Sequence, residues 1–160
     1  MTTQDTRVGT LARQFEAVSG ELRDTIAAVP DEQWQAPTTG DGRPINVVAH
    51  HAAGSHAAIA RQIQAMVDGH PQPLTMDQIH AGNAEHARRF AGCSRAETLA
   101  LHDRGVAEAS SVLRGLTDEQ LARQGEFLTG ATGTVEQAIQ RVLIGHPREH
   151  TATIRASLST

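Results

Sequence analysis

Apolar residues in this chain recur at helical spacing and almost nowhere at strand spacing, so an all-α fold is the starting point. Val8, Leu11, Phe15, Val18, Leu22, Ile26 and Val29 form one stripe, which predicts a helix over residues 6–28. Pro30 ends it, and residues 31–42 read as a loop with one turn around Trp34. Pro44 suits a first helical position, because its missing N–H costs nothing there. The helix it opens runs over residues 44–68 with the stripe Val48, Ala52, Ser55, Ile59, Ile63 and Met66, until Gly69, Pro71 and Pro73 stop it. Residues 75–91 read as a polar, weakly amphipathic helix.

Ser94-Arg95-Ala96-Glu97 is a capping box and opens a helix that reaches Leu116. Thr117 begins one short turn, and residues 125–133 read as a glycine-rich loop. Thr134-Val135-Glu136-Gln137 is a further box. Its helix carries Val135, Ile139, Val142, His146, His150 and Ile154 to about residue 157. The expected fold is therefore a single-domain four-helix bundle over residues 1–160, of up-and-down type, with short extra helical turns. Phe15, Leu22, Val48, Ile63, Leu113, Val142 and Ile154 are its expected core.

With 160 residues the chain can bury a core without covalent staples. Its one cysteine, Cys93, excludes an intramolecular disulfide and any multi-cysteine metal site. A net charge of −4 argues against a nucleic-acid partner. No apolar run is long enough to span a membrane, and the polar stretch from Met1 to Gly9 lacks a signal core. A soluble, reduced, cytoplasmic protein is expected. All cationic side chains are arginine, a bias we attribute to GC-rich coding.

Nine histidines are about twice an ordinary share, and their positions carry the chemistry. His146 and His150 lie one helical turn apart on the apolar face of the last helix. Two imidazoles so spaced converge on one metal ion, or else form a buried hydrogen-bonded pair. No glutamate follows His146, so this is not the zinc-protease motif. Further ligands would come from His50, His51 and His56 on the second helix. Helical phase puts His51 at the edge of the apolar stripe beside the last helix. It points His50 outward to solvent and leaves His56 for an interhelical hydrogen bond. His70, His80, His86 and His102 read as structural or solvated.

His51, His146 and His150 would leave a coordination position open, as catalytic metal sites do. Imidazole ligands suit zinc, nickel, iron and copper alike. No nucleophile elbow, phosphate-binding loop or dinucleotide fingerprint is present. Cys93 reads as a small residue at a helix start.

At these residues the chain resembles the DinB-like superfamily of metal-binding four-helix bundles, most of all the YfiT-type metal-dependent hydrolases. Val47-Val48-Ala49-His50-His51-Ala52-Ala53-Gly54-Ser55-His56 is similar to the second-helix segment, where the second histidine of the pair is a ligand. Gly145-His146-Pro147-Arg148-Glu149-His150 is similar to the last-helix motif that supplies two more. Leu116-Thr117-Asp118-Glu119-Gln120-Leu121 resembles the turn before the final loop. The sequence departs from the pattern at Gly54, where an aspartate is common, at Arg43-Pro44, and at Pro147, which should kink the last helix.

The resemblance implies a divalent ion, zinc or nickel first, on His51, His146 and His150, with metal-bound water or thiolate as the reacting group. It implies a metal-dependent hydrolase or a low-molecular-weight-thiol S-transferase acting on a small molecule, and it allows a homodimer. The alternative is a non-catalytic stress-response or binding protein whose metal is structural or absent.

Overall fold

The computed structural model describes residues 6–158, so most of the polar N-terminal stretch read above lies outside the described residues. The helices follow the sequence signals closely. α1 is Arg7–Ala28, α2 Ile45–Val67, α3 Met76–Arg89, α4 Arg95–Arg114 and α5 the single turn Asp118–Leu121. The last helix has three parts: α6, Val135–Ala138; a π-helical segment, Ile139–Ile144; and α7, Gly145–Leu158. The Thr6 side chain caps α1 by accepting from the Gly9 N–H at 3.0 Å. Capping boxes open α3 at Thr75, α4 at Ser94, α5 at Thr117 and α6 at Thr134, each satisfying two otherwise orphaned N–H groups. Asp31–Gln33 forms one 3₁₀ turn that ends at Trp34.

Three local expectations change. Pro44 is the residue before α2 rather than its first helical one; its ψ of 149° is extended. The glycine-rich stretch is a hairpin, β1 (Gln124–Phe127) paired antiparallel with β2 (Ala131–Thr134). Thr129 and Gly130 turn it with positive φ of 63° and 79°. Gly125 and Gly133 face each other across the ladder, close against the side chains of neighbouring helices. A Cβ on Gly125 would stand 2.8 Å from Met66 Cγ, and one on Gly133 would stand 2.4 Å from Gln137 Oε1. The hairpin thus lies flat on α2 and α6.

The third change is the π segment, which stands immediately before Gly145-His146-Pro147. Pro147 has no N–H to return to the carbonyl four residues back, which loosens the ladder at this point. A π turn inserts an extra residue and shifts the helix phase. Leu143 and Ile144 are buried as a result, and Val142 is only partly so. The other expected core residues, Phe15, Leu22, Val48, Ile63, Leu113 and Ile154, are all buried.

Around the bundle the long helices pack in the order α1, α4, α2, α7, so α1 and α2 face each other across the core. The connections over residues 29–44 and 115–134 are long enough to cross between diagonal helices. α3 has no buried residue and lies outside, against α2.

The core is in two parts. One cluster holds Phe15, Ile59, Ile63, Leu113, Ile139 and Leu143. The other holds Leu22, Ile26, Trp34, Val48 and Ile154. Between them runs a polar layer. Buried Ser19 lies between Phe15 and Leu22 on α1, and buried His56 between Val48 and Ile59 on α2. Buried His102 on α4 and Thr151 on α7 complete it.

Leu22→Ala should cost about 2–5 kcal/mol, as a fully buried leucine does. Val142→Ala, outside the shifted stripe, should cost about 1 kcal/mol or less. Urea unfolding of both variants checks this, and a larger loss at Val142 would contradict the phase shift.

Candidate metal centre

The polar layer brings three imidazoles from two helices together. His51 comes from α2, and His146 and His150 from α7, one turn apart. His51 Nε2 lies 3.2 Å from His146 Nε2, which lies 3.1 Å from His150 Nε2. One ring nitrogen from each residue lies within 4.8 Å of the other two. An imidazole nitrogen has either one in-plane lone pair or one proton, so His146 Nε2 makes one good hydrogen bond, not two. A single central cation satisfies all three. Tetrahedral zinc, with Zn–N of about 2.0–2.1 Å, would hold its nitrogens roughly 3.3 Å apart, close to the spacing found. The donor set and its spacing therefore fit a divalent ion.

Burial keeps these rings neutral, with their lone pairs available. It pushes His51 and His146 down to about 3 and His150 to about 4, helped by the neighbouring imidazoles and by the Arg43 guanidinium. His146 Nδ1 is buried without a partner among the described residues.

Beside the triad opens a cleft of about 880 Å³ between α2, α3 and α4. His50, His51, Gly54 and Ser55 line it from α2, His86 and Arg89 from α3, and Leu101 and Arg104 from α4. His50, expected at the solvent face, is buried because α3 covers it. Its Nδ1 lies 2.9 Å from His86 Nε2, and its ring stacks on Phe90 at 4.0 Å. His86 is likewise a wall of the cleft rather than a solvated residue; the His86/Phe90 spacing of one turn was its only sequence signal.

His56 makes no interhelical hydrogen bond among the described residues. Both its ring nitrogens are unpartnered, and it packs edge-on against Phe15 and His102. His102 is equally buried. Cys93 lines the cleft, but its thiol donates to the Asn46 carbonyl at 3.4 Å, and burial pushes its pKa up. It is a packed residue and not a primed nucleophile. Glu97 also lines the cleft, and its carboxylate is engaged by the Ser94 N–H at 2.9 Å.

The metal-free protein should be acid-labile. His56 is held near 3, and the triad and His86 at about 3 to 4, against an ordinary value of 6.5. Below 6.5 the unfolded chain binds protons that the folded one refuses. Stability is therefore complete above that pH and drains away as pH falls toward 3–4. Urea midpoints of chelated protein at neutral pH and in the acid range measure it; equal midpoints would contradict the buried neutral histidines.

Comparison with curated protein sequences finds no match. Among solved structures the chain is similar to the mycothiol-dependent maleylpyruvate isomerase, with a TM-score of 0.71 and 13% identity. It is also similar to a histidine-to-alanine mutant of that enzyme, with a TM-score of 0.75 and 11% identity. Each alignment covers 96% of this chain but 63% of the isomerase, so the chain spans less than two thirds of that structure's length. The likeness is one of fold. The family model of the DinB superfamily matches residues 14–154, nearly all of the bundle and all three histidines of the triad. The helical bundle built above and this match together make the chain a member of the DinB superfamily.

Proposed function

We propose that His51, His146 and His150 hold one divalent metal ion, zinc or nickel first. In this reading the protein is a cytoplasmic, single-domain enzyme that transfers a low-molecular-weight thiol to, or through, a small molecule. The observation that carries the reading is the convergence of three neutral imidazoles beside an open cleft. Core residues drawn from α1, α2, α4 and α7 into shared clusters support one domain. No helix of the described residues is long and apolar enough to cross a membrane.

A divalent ion with an open coordination position acidifies a thiol or a water bound there, so that the nucleophile exists at neutral pH. The chain's own residues do the rest. α2 and α7 fix the imidazoles from two directions, and burial keeps them unprotonated. Gly54 and Ser55 leave room beside His51, while Phe90 and Leu101 provide apolar walls. A free carboxylate beside the open position would favour hydrolysis. The cleft's Glu97 is occupied as a helix cap, and the thiol reading is favoured for that reason. The structural neighbours, enzymes that depend on the thiol mycothiol, point the same way.

His51→Ala, His146→Ala and His150→Ala should each reduce metal content from one ion per chain to none after dialysis. His50→Ala should retain the ion. Conjugation of a small thiol to an electrophile should fall in the three ligand variants by at least the roughly 10–100-fold that even outer-shell partners are worth. Chelation should abolish it and added metal restore it. Metal bound by His51→Ala but lost from His50→Ala would overturn the ligand set. Turnover unaffected by chelator would overturn the metal-dependent reading.

A further inference from the structure

The cleft that His51 opens onto carries two arginines in its walls, Arg89 from α3 and Arg104 from α4. Each lies one turn beyond another lining residue, Arg89 beyond His86 and Arg104 beyond Leu101, so each shares the helix face that forms the wall. Both side chains are exposed, and neither has a hydrogen-bond or ion-pair partner among the described residues. The Arg89 guanidinium carbon lies 5.3 Å from the Phe90 ring centroid, a contact that attracts the cation but offers its donors no oxygen.

The carboxylates that would ordinarily neutralise this pair are engaged elsewhere. Glu85, one turn before Arg89, accepts from Arg88 at 2.6 and 3.1 Å. Asp103, next to Arg104, accepts from Arg23 at 2.8 and 3.1 Å. Glu108, one turn after Arg104, accepts from Arg61 at 2.7 Å. Glu97, the carboxylate in the cleft wall, accepts from the Ser94 N–H at 2.9 Å and from its hydroxyl at 3.0 Å. A chain of net charge −4 thus keeps two uncompensated cations in the cleft beside its metal ligands.

The same contacts choose among anions. The N-terminus of α4 stands at the cleft and would suit a phosphate, but Glu97 already places a carboxylate there as its cap. What remains is guanidinium, whose planar fork matches a carboxylate. Phe90, Leu101 and Ala58 offer apolar surface for a carbon skeleton between the charges and the metal.

We propose that Arg89 and Arg104 receive the carboxylate end of an acidic small molecule held in this cleft, and so select what reaches the histidine triad. The proposal rests on the metal reading above. Its test uses the full chain loaded with cobalt(II), as wild type, Arg89→Gln, Arg104→Gln and the double variant. Both positions are exposed, so the substitutions should barely affect folding. Cobalt uptake is measured first and should be the same in every protein. Each is then titrated without oxygen with glutathione, whose carboxylates are ionised, and with glutathione diethyl ester, in which they are blocked. The sulfur-to-cobalt charge-transfer absorption reports binding.

The wild type should bind glutathione more tightly than the ester. That preference should shrink roughly two- to fivefold in each single variant, the worth of an exposed ion pair, and further in the double variant. Added salt should erode it in the wild type and hardly change it in the double variant. An equal preference in the wild type and the double variant, with cobalt bound, would overturn the proposal and leave the metal reading intact. So would an equal loss of glutathione and ester, since residues that only shape the wall cannot tell them apart. No cobalt uptake by the wild type overturns the metal reading and this proposal with it. If the variants do not fold, the wild type decides alone: a preference for glutathione that salt does not weaken, or no preference, rejects the arginines as its source.

Discussion

Everything in this bundle is arranged around a polar layer that interrupts its core. Burying a polar group without a partner costs free energy, and the interior here takes in several. Ser19 and both ring nitrogens of His56 have no hydrogen-bond partner among the described residues, and neither do His102 Nε2 and His146 Nδ1. The apolar clusters on either side supply the offsetting stabilisation, each with contributions from helices that lie on opposite sides of the bundle. The layer also explains the character of the site. Imidazoles clamped between two apolar blocks stay neutral, and His146 Nε2 lies at hydrogen-bonding distance from both His51 and His150, although it can make only one such bond. The arrangement fits a divalent ion.

The last helix shows how local disorder in the hydrogen-bond ladder serves the site. Pro147 would be expected only to kink the chain. Instead the π segment before it absorbs an extra residue and resets the phase. Ile139 and Leu143 then face one apolar cluster and Ile154 faces the other, with His146 and His150 between them. π turns are frequent at functional sites because they re-aim side chains without ending the helix.

Much of this was legible in the residues. Helix starts at Ser94 and Thr134 were visible because capping depends on side chains a few residues apart. The triad was visible for a similar reason: His146 and His150 share a face by spacing alone, and the phase of α2 singles out His51. What depends on contacts between distant elements was not. His50 is buried by α3, which nothing in the α2 sequence reveals. The hairpin hides in a stretch without apolar alternation, where Gly125 and Gly133 are needed for close approach to Met66 and Gln137. The neighbour order α1, α4, α2, α7 is set by crossings that periodicity does not encode.

The central claim is that the histidine triad is a metal centre, and X-ray absorption at the metal edge of zinc-loaded protein tests it most directly. The account predicts a four-coordinate ion with nitrogen and oxygen neighbours at about 2.0–2.1 Å, multiple scattering from three imidazoles, and one exchangeable light-atom ligand. A sulfur shell at about 2.3 Å would instead bring Cys93 into the site. Scattering from fewer than three imidazoles would mean that the meeting of His51, His146 and His150 is a feature of packing and not a binding site.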